Sequence, residues 1–111
     1  MSQTLNKITL IGYFGSDPES RSLPGDQDKI VVNVSLATTE RWKDKTTQEE
    51  KEETEWHSLV LYNQQARFTR DHLKKGAKVY VEGRVKTRKW DDDKGVTHYK
   101  TEVLVSDLRT V

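Results

Sequence analysis

The sequence predicts an all-β domain in which five short strands close into a small barrel, with one helix between the third and fourth strands. Apolar residues recur mainly at every second position, which is the period of a strand, and only one stretch has helical spacing. The 111 residues are 32 % hydrophobic and 33 % charged, so they suffice for one thin core in a single domain over residues 1–111. A closed barrel suits such a chain because it leaves no exposed sheet edge.

The first two predicted strands occupy the N-terminal third of the chain. Thr4–Gly15 carries the apolar and β-branched residues typical of a strand, and Gly12 and Gly15 indicate a bend or bulge within or after it. A proline break follows, and Leu23–Asp28 is predicted as a turn. Lys29–Thr39 is predicted as the second strand because its apolar residues alternate onto one face.

The middle of the chain holds a charged segment, a third strand and the predicted helix. Glu40–Glu53 is charged and weakly periodic, and it is predicted as a loop that is long for a hairpin. Thr54–Tyr62 is predicted as a strand with Trp56 and His57 on opposite faces. Asn63–Leu73 has loose helical spacing, with its first residue as N-cap and two lysines and a glycine after its end.

The C-terminal part is predicted as a hairpin made of the strand Lys74–Trp90, the turn Asp91–Gly95 and the strand Val96–Val105. The predicted element order is therefore β-β-β-α-β-β. This order is the layout of the OB-fold, a five-stranded Greek-key barrel with one helix between strands 3 and 4.

Lys74–Trp90 is also the most basic stretch, with seven basic residues and one acid, Glu82. Strand alternation predicts that its valines face a core while the other face carries cations beside Tyr80 and Trp90. The net charge of only +1 does not exclude a polyanionic partner, because the acids concentrate in residues 40–55 and local potential governs binding.

Four aromatic residues stand among charged or polar neighbours rather than in aliphatic runs: Trp42, Trp56, Tyr62 and Trp90. Stacking on such rings tolerates any base, and nearby Lys and Arg side chains bind phosphates. On this ground Lys43, beside Trp42, and Arg84, on the cationic strand face, are candidate phosphate contacts. The pattern predicts sequence-tolerant binding of single-stranded nucleic acid, and it does not distinguish DNA from RNA.

Nearly the whole chain resembles the DNA-binding domain of the bacterial and mitochondrial single-stranded DNA-binding proteins. The matching runs are LNKITLIGYFGSDPE (5–19), VSLATTERWKDK (34–45), TEWHSLVLY (54–62), LKKGAKVYVEGRVKTRKW (73–90) and HYKTEVLV (98–105). The resemblance implies an OB-fold that assembles as a homotetramer. It also implies that the protein binds and protects single-stranded DNA during replication, recombination and repair, with no metal or other cofactor.

The resemblance also implies roles for single residues. The positions implied to stack on bases are Trp42, Trp56, Tyr62 and Trp90. The positions implied to contact phosphates are Lys7, Arg21, Lys75, Lys86, Arg88 and Lys89. His57 matches a position at the subunit interface. Tyr13 and Phe14 replace a smaller pair, and they are expected to add aromatic surface.

Full bacterial members of that family carry a flexible tail whose acidic tip recruits replication and repair proteins. The sequence ends at Val111 without such a tip, so partners of that kind stay open. The chain is expected to be either a trimmed core or a tailless mitochondrial, phage or mobile-element member.

Composition and motifs also bear on location and on other functions. No cysteine is present, so neither a disulfide framework nor a thiolate metal site is available. No apolar run approaches a membrane span and no secretory signal is present. We therefore expect an intracellular protein, in the cytoplasm with the nucleoid or in the mitochondrial matrix.

Two other classes of function compete with this interpretation. An enzyme would need a carboxylate site such as Asp91, Asp92 and Asp93, but a hairpin turn is where such residues stand by default, and no phosphate-binding glycine loop or nucleophile motif is present. No enzyme activity is therefore expected. An OB-fold protein-interaction or primosome accessory module with weak nucleic-acid binding stays open as the alternative.

Overall fold

The computed structural model describes residues 3–111, apart from the side chains of residues 26–28. The elements in chain order are β1 (Ile8–Phe14), β2 (Glu19–Leu23), β3 (Asp26–Lys43), β4 (Glu50–Tyr62), α1 (Asn63–His72), β5 (Lys78–Asp91) and β6 (Thr97–Thr110).

Five of the strands close into a barrel. The order is β1-β5-β6-β4-β3, and β3 returns to β1 through the pairs Tyr13↔Ala37 and Phe14↔Leu36. These pairings are antiparallel except for β4 with β6. β2 is not one of these five strands; it pairs with the first part of β3, on the same edge of β3 that β1 joins further along. The predicted OB-fold is confirmed, and α1 stands between the third and fourth barrel strands as expected.

The core sits inside this barrel and follows the strand alternation. Its innermost side chains are Val32, Leu36, Leu59, Leu61, Val79 and Val81. Gly12 lets β1 approach β3 closely, since a Cβ atom there would lie 2.3 Å from the carbonyl oxygen of Ala37. Phe14 is buried in the core, so the expectation that it adds aromatic surface is wrong; Tyr13 alone is exposed.

The segment predicted as a long loop is a two-stranded arm. Residues 40–53 continue the β3–β4 ladder as far as Lys43↔Glu50, so only residues 44–49 form the turn. Apart from Trp42, this segment, the β3–β4 arm, is polar on both faces. Because it buries no apolar face, it lacks the hydrophobic alternation from which a strand is predicted, and the loop prediction was wrong.

Several boundaries also differ from the prediction. β2 was not predicted, since its sequence ESRSL has no apolar alternation and it pairs only along the β3 edge. β1 begins at Ile8 rather than Thr4. β6 runs to Thr110 rather than Val105, past a register shift opposite Glu82 and Gly83.

The helix prediction holds within one residue, but the helix is not capped by Asn63. The N-cap is Tyr62, without a side-chain capping bond, and Asn63 has a positive φ of 54°. The predicted turn Leu23–Asp28 is narrower than expected, with Gly25 at a φ of 81°; the side chains of residues 26–28 lie outside the described residues.

Candidate nucleic-acid interface

The strand register brings most of the predicted site residues to one surface. Residues paired across strands share a face, as do alternate residues along a strand. The pairs Ala37↔Trp56, Val60↔Leu104 and Arg84↔Leu104 therefore define one continuous side of the sheet that points away from the barrel interior. We call this side the outer face. The predicted residues on it are Arg21, Lys43, Trp56, Tyr62, Arg84, Lys86, Arg88 and Trp90.

Trp56 is the most exposed ring of the outer face, at 61 %. Its six-membered ring lies against the backbone of Gly15, where a Cβ atom would come within 2.1 Å of the Trp56 Cζ3 atom. The glycine that follows β1 therefore provides the space in which this indole lies flat. A ring that is supported from below and open above offers one face for stacking.

Trp90, at 44 % exposure, is held by side chains on two sides. The His98 ring stacks against it, with ring centroids 5.4 Å apart and an interplanar angle of 22°. The Arg88 Cζ atom lies 5.8 Å from the centroid of the Trp90 ring, within the range of a cation–π contact. The indole is therefore oriented before any ligand arrives.

His98 is itself anchored by the turn of the β5–β6 hairpin. Its Nε2 atom donates to the Asp92 Oδ2 atom at 2.8 Å, and Asp92 Oδ1 accepts the backbone N–H groups of Lys94 and Val96. The hydrogen bond from His98, followed by those backbone bonds, lowers the pKa of the Asp92 carboxyl. The stacking position of His98 is thus tied to an ionised turn carboxylate.

Tyr62, at 46 % exposure, borders a groove of about 450 Å³ whose other walls include Leu5, Lys7, Arg84 and Leu104. The N-terminal segment is held there by the Asn6 side chain. Its Nδ2 atom donates to the Val85 carbonyl at 2.7 Å, and its Oδ1 atom accepts the Val85 N–H at 2.9 Å. The Asn6 side chain thus makes the two hydrogen bonds to Val85 that a paired strand residue would make, just before β1 begins.

Trp42 lies on the opposite side of the β3–β4 arm from Trp56. It pairs with Lys51, five positions along β4 from Trp56, so the two indoles alternate onto different faces. Trp42 is exposed near the tip of the arm, where the Asp44 side chain accepts the Thr46 and Thr47 N–H groups. These backbone bonds, from Thr47 first, lower the pKa of Asp44.

The predicted cations fall into two groups by their partners. Lys7 lies 3.8 Å from a carboxylate oxygen of Glu82, and Arg88 lies 2.8 Å from one of Glu102. Within the described part of the chain, no carboxylate lies within ion-pair distance of the other six: Arg21, Lys43, Lys75, Arg84, Lys86 and Lys89.

Two of these cations stand away from the outer face. Lys89 pairs with Tyr99 on the reverse side of the β5–β6 hairpin, and Lys75 lies in the turn after α1, where its N–H donates to Asp17. Arg84 and Lys86 lie on the outer face itself, between Tyr62 and Trp90 in the sheet. This places unpaired positive charge between two exposed rings.

His57 faces a second groove on the other side of β4, as the sequence predicts. A hydrogen bond of 2.9 Å joins its Nε2 atom to the Thr38 hydroxyl. The groove measures about 400 Å³ and is also lined by Leu10, Ile11 and Glu55. Ile11 is 54 % exposed, and between Ile8 and Gly12 β1 pairs only with β5. An open strand edge beside exposed apolar surface is suited to pairing with another chain.

Sequence reasoning missed His98, Glu102 and Tyr99. His98 and Glu102 act on Trp90 and Arg88 across the β5–β6 pairing, so their role depends on a register that the sequence does not display. Tyr99, which is exposed beside Lys89, could have been found by listing aromatics next to cations.

The structure offers no grouping for metal chemistry in the residues it describes. Residues 3–111, taken without the side chains of 26–28, contain no cluster of three or more His, Asp or Glu side chains arranged to hold a metal ion. Asp92 is engaged by the turn and His98. In the same residues, no helix is both long enough and apolar enough to cross a membrane.

A closed five-stranded barrel with exposed aromatic rings and cations on one outer face defines an OB-fold protein suited to binding nucleotides. Residues 5–111 match the family model described as the single-strand binding protein family, and the chain belongs to that family. Among solved structures it is similar to a chain titled "Plasmodium falciparum SSB complex with ssDNA". The two chains are 39 % identical with a TM-score of 0.88, and the match covers 100 % of this chain and 98 % of that chain.

Proposed function

We propose that this protein binds single-stranded DNA without reading its sequence and protects it during replication, recombination and repair. The observation that carries the proposal is the outer face, where Trp56, Tyr62 and Trp90 stand exposed around Arg84 and Lys86. The described residues place no carboxylate within ion-pair distance of these two cations. The similar Plasmodium chain was solved with single-stranded DNA, which supports the same ligand here.

In this proposal bases stack on Trp56, Tyr62 and Trp90, and the backbone runs past Arg84 and Lys86. Stacking contributes about 1–3 kcal/mol per base and accepts every base, whereas the cations add a contribution that falls as salt rises. Trp42, on the other side of the β3–β4 arm, receives bases only when the strand passes around that arm. Arg21 and Lys43 extend the row of cations on the outer face, whereas Lys75 and Lys89 contact the strand only where it continues beyond that face.

Tryptophan fluorescence tests the proposal directly. Adding poly(dT) at low salt should quench the emission strongly, because indoles stacked on bases lose fluorescence, and high salt should reverse the quenching. Duplex DNA of equal length is the control and should quench far less, since its bases are already stacked. Absent quenching at low salt would reject DNA binding and leave the protein-interaction alternative standing.

We also propose that the protein acts as a homotetramer. The open edge of β1, with Ile11 exposed beside the His57 groove, is the surface that supports this proposal. Sedimentation velocity with and without an oligo(dT) ligand would report assembly and binding together. A monomer at micromolar concentration in both states would reject the proposed assembly without touching DNA binding.

The family is one of DNA-binding proteins rather than enzymes, and we propose that this chain likewise acts by binding alone, as one domain. Incubation of labelled DNA with magnesium should yield no cleavage. From this ligand we propose that the protein acts in the cytoplasm with the nucleoid or in the mitochondrial matrix.

A further inference from the structure

Among the residues whose side chains are described, Glu102 is the one charged side chain that is fully buried, at 4 % exposure. It lies on β6, directly opposite Lys86 of β5. Its Oε1 atom is 2.8 Å from the Arg88 Nε atom. A buried carboxylate is retained only with a partner that compensates its lost hydration, and here the partner is Arg88.

Arg88 links this buried carboxylate to an exposed ring. Its side chain is 55 % exposed, and its Cζ atom lies 5.8 Å from the centroid of the Trp90 ring. A guanidinium can donate in its plane while its face contacts an aromatic ring, which an ammonium cannot do. Glu102, Arg88 and Trp90 therefore form one chain of contacts that runs from the sheet to the surface.

Arg88 contributes less than Arg84 and Lys86 to the positive potential of the outer face. Arg84 and Lys86 share the outer face with Arg88, and the described residues place no carboxylate within ion-pair distance of either. The Arg88–Glu102 pair has no net charge, so it adds little to the potential that attracts a phosphate backbone. What the pair adds is a fixed position for Arg88, and through Arg88 for the indole.

We propose that Glu102 is a positioning residue for base stacking: it fixes the Arg88 guanidinium, which in turn holds the Trp90 ring in the orientation that receives a base. The inference rests on the proposed binding of single-stranded DNA. It makes Arg88 a support for Trp90 rather than a phosphate contact.

The salt dependence of oligo(dT) binding separates these roles. Lys86→Met should flatten the slope of log K against log[salt] by about 0.7, the increment for one phosphate contact on a single strand. The neutral pair Arg88→Met/Glu102→Gln should leave the slope unchanged. Glu102→Gln alone should steepen it by about 0.7, because it frees one cation. A double variant that flattens the slope as Lys86→Met does would overturn the proposal.

The affinity for oligo(dT) extrapolated to 1 M salt, where the electrostatic contribution is smallest, tests the effect on Trp90. Glu102→Gln should weaken oligo(dT) binding there by about fivefold, the low end of one stacking contact. In a Trp90→Ala background the same substitution should have no further effect. An equal loss in both backgrounds would show that Glu102 supports only the fold, and the proposal would fail.

A spectroscopic arm distinguishes this failure from failure of the proposed function, since it uses no DNA. In Trp42→Phe/Trp56→Phe protein, Trp90 is the one remaining indole of the chain. Glu102→Gln should lower its fluorescence anisotropy and increase its quenching by acrylamide.

If Glu102→Gln does not fold, Arg88→Lys carries the test. This substitution keeps the positive charge, and its site is on the surface. It should make the Trp90 ring more mobile without changing the slope of log K against log[salt]. Unchanged Trp90 anisotropy in every folded variant would overturn the proposal.

Discussion

Exposed indoles are uncommon on a protein surface, and their neighbours indicate what they are for. Trp56 rests on Gly15, and Trp90 lies against His98 and Arg88. In both cases part of the ring is supported by the protein while a large part stays open. A ring that is already fixed loses little conformational entropy when a base stacks on it.

Replacing either indole should therefore weaken DNA binding by a measurable increment. We expect Trp56→Ala and Trp90→Ala each to weaken oligo(dT) binding by about 1–3 kcal/mol. Phe at the same positions should retain part of this stacking energy, because it keeps an aromatic ring. Fluorescence anisotropy of a labelled oligonucleotide measures the change. Val96→Ala, at an exposed apolar position in a turn, is the matched control and should be silent. Affinity unaltered in both Trp variants would remove these rings from the site.

Gly15 should influence binding through Trp56. A Cβ atom at Gly15 would meet the Trp56 ring at 2.1 Å, so Gly15→Ala must displace the indole. We expect weaker oligo(dT) binding from Gly15→Ala but no further loss when it is added to Trp56→Ala. A loss of equal size in that background would mean that Gly15 acts on the fold and not on the ring.

Asp92 should contribute to stability in an acid-dependent way. Its pKa in the folded protein is lowered from 3.8, first by His98 and then by the turn N–H groups. A lowered folded pKa means that the contribution is complete above the unfolded value and is lost as pH falls through the folded one. Asp92→Asn should thus flatten the decline of unfolding free energy below about pH 4.

Urea unfolding across acid pH measures this slope. Asp93→Asn in the same turn is the matched control. The described residues show no hydrogen bond or ion pair of the Asp93 side chain, so its replacement should leave the slope as it is. If both variants follow the parent curve, the Asp92–His98 bond contributes nothing to folding.

At the scale of elements, each hairpin arm is built on a turn aspartate and carries rings on both sides. Asp44 accepts the N–H groups at the tip of the β3–β4 arm, as Asp92 does at the tip of the β5–β6 hairpin. Trp42, on the first arm, and Trp56, at its base, lie on opposite faces of the β3–β4 ladder. A strand that contacts both sides must therefore pass around the arm, which a flat binding surface would not require.

The helix α1 offers a test of packing that is independent of ligand. Thr69 is fully buried, and its Oγ1 atom has no hydrogen-bond partner among the described residues. Burying an unsatisfied hydroxyl is unfavourable, so Thr69→Val should raise the free energy of unfolding by about 1 kcal/mol. Thr69→Ser, which keeps the hydroxyl and loses the methyl group, should lower it. Chemical denaturation measures the free energy of unfolding of both variants. A Thr69→Val protein that is less stable than the parent would imply that the Thr69 hydroxyl has a hydrogen-bond partner.

At the scale of the molecule, the chain is more extended than its length requires. Its radius of gyration is 16.8 Å and its longest extent is 58 Å, whereas a compact chain of this length has a radius of roughly 13 Å. The excess reflects the arms, which project beyond a thin core. Such a shape leaves much surface for a polymer and for other copies of the chain.

Charge placed on the open β1 edge should prevent self-association. Ile11 is 54 % exposed beside the His57 groove, so Ile11→Glu would bury an unpaired carboxylate in any interface formed there, which is strongly unfavourable. Sedimentation velocity should show a smaller species than the parent protein. Val96→Glu, at a similarly exposed position in a turn, should sediment unchanged; an Ile11→Glu protein that still assembles would place the interface elsewhere.

The sequence by itself determined the barrel, the position of the helix and the identity of the rings and cations. These follow from strand periodicity, turn residues and local composition, which are properties of neighbouring residues along the chain. Only the tertiary structure decided that residues 40–53 form an arm, that Trp42 and Trp56 lie on opposite sides of it, and that Glu102 reaches Arg88. Those features depend on register and pairing between segments that are distant in the sequence. A polar pair of strands with no buried face also shows no alternation of apolar and polar residues from which it could be predicted.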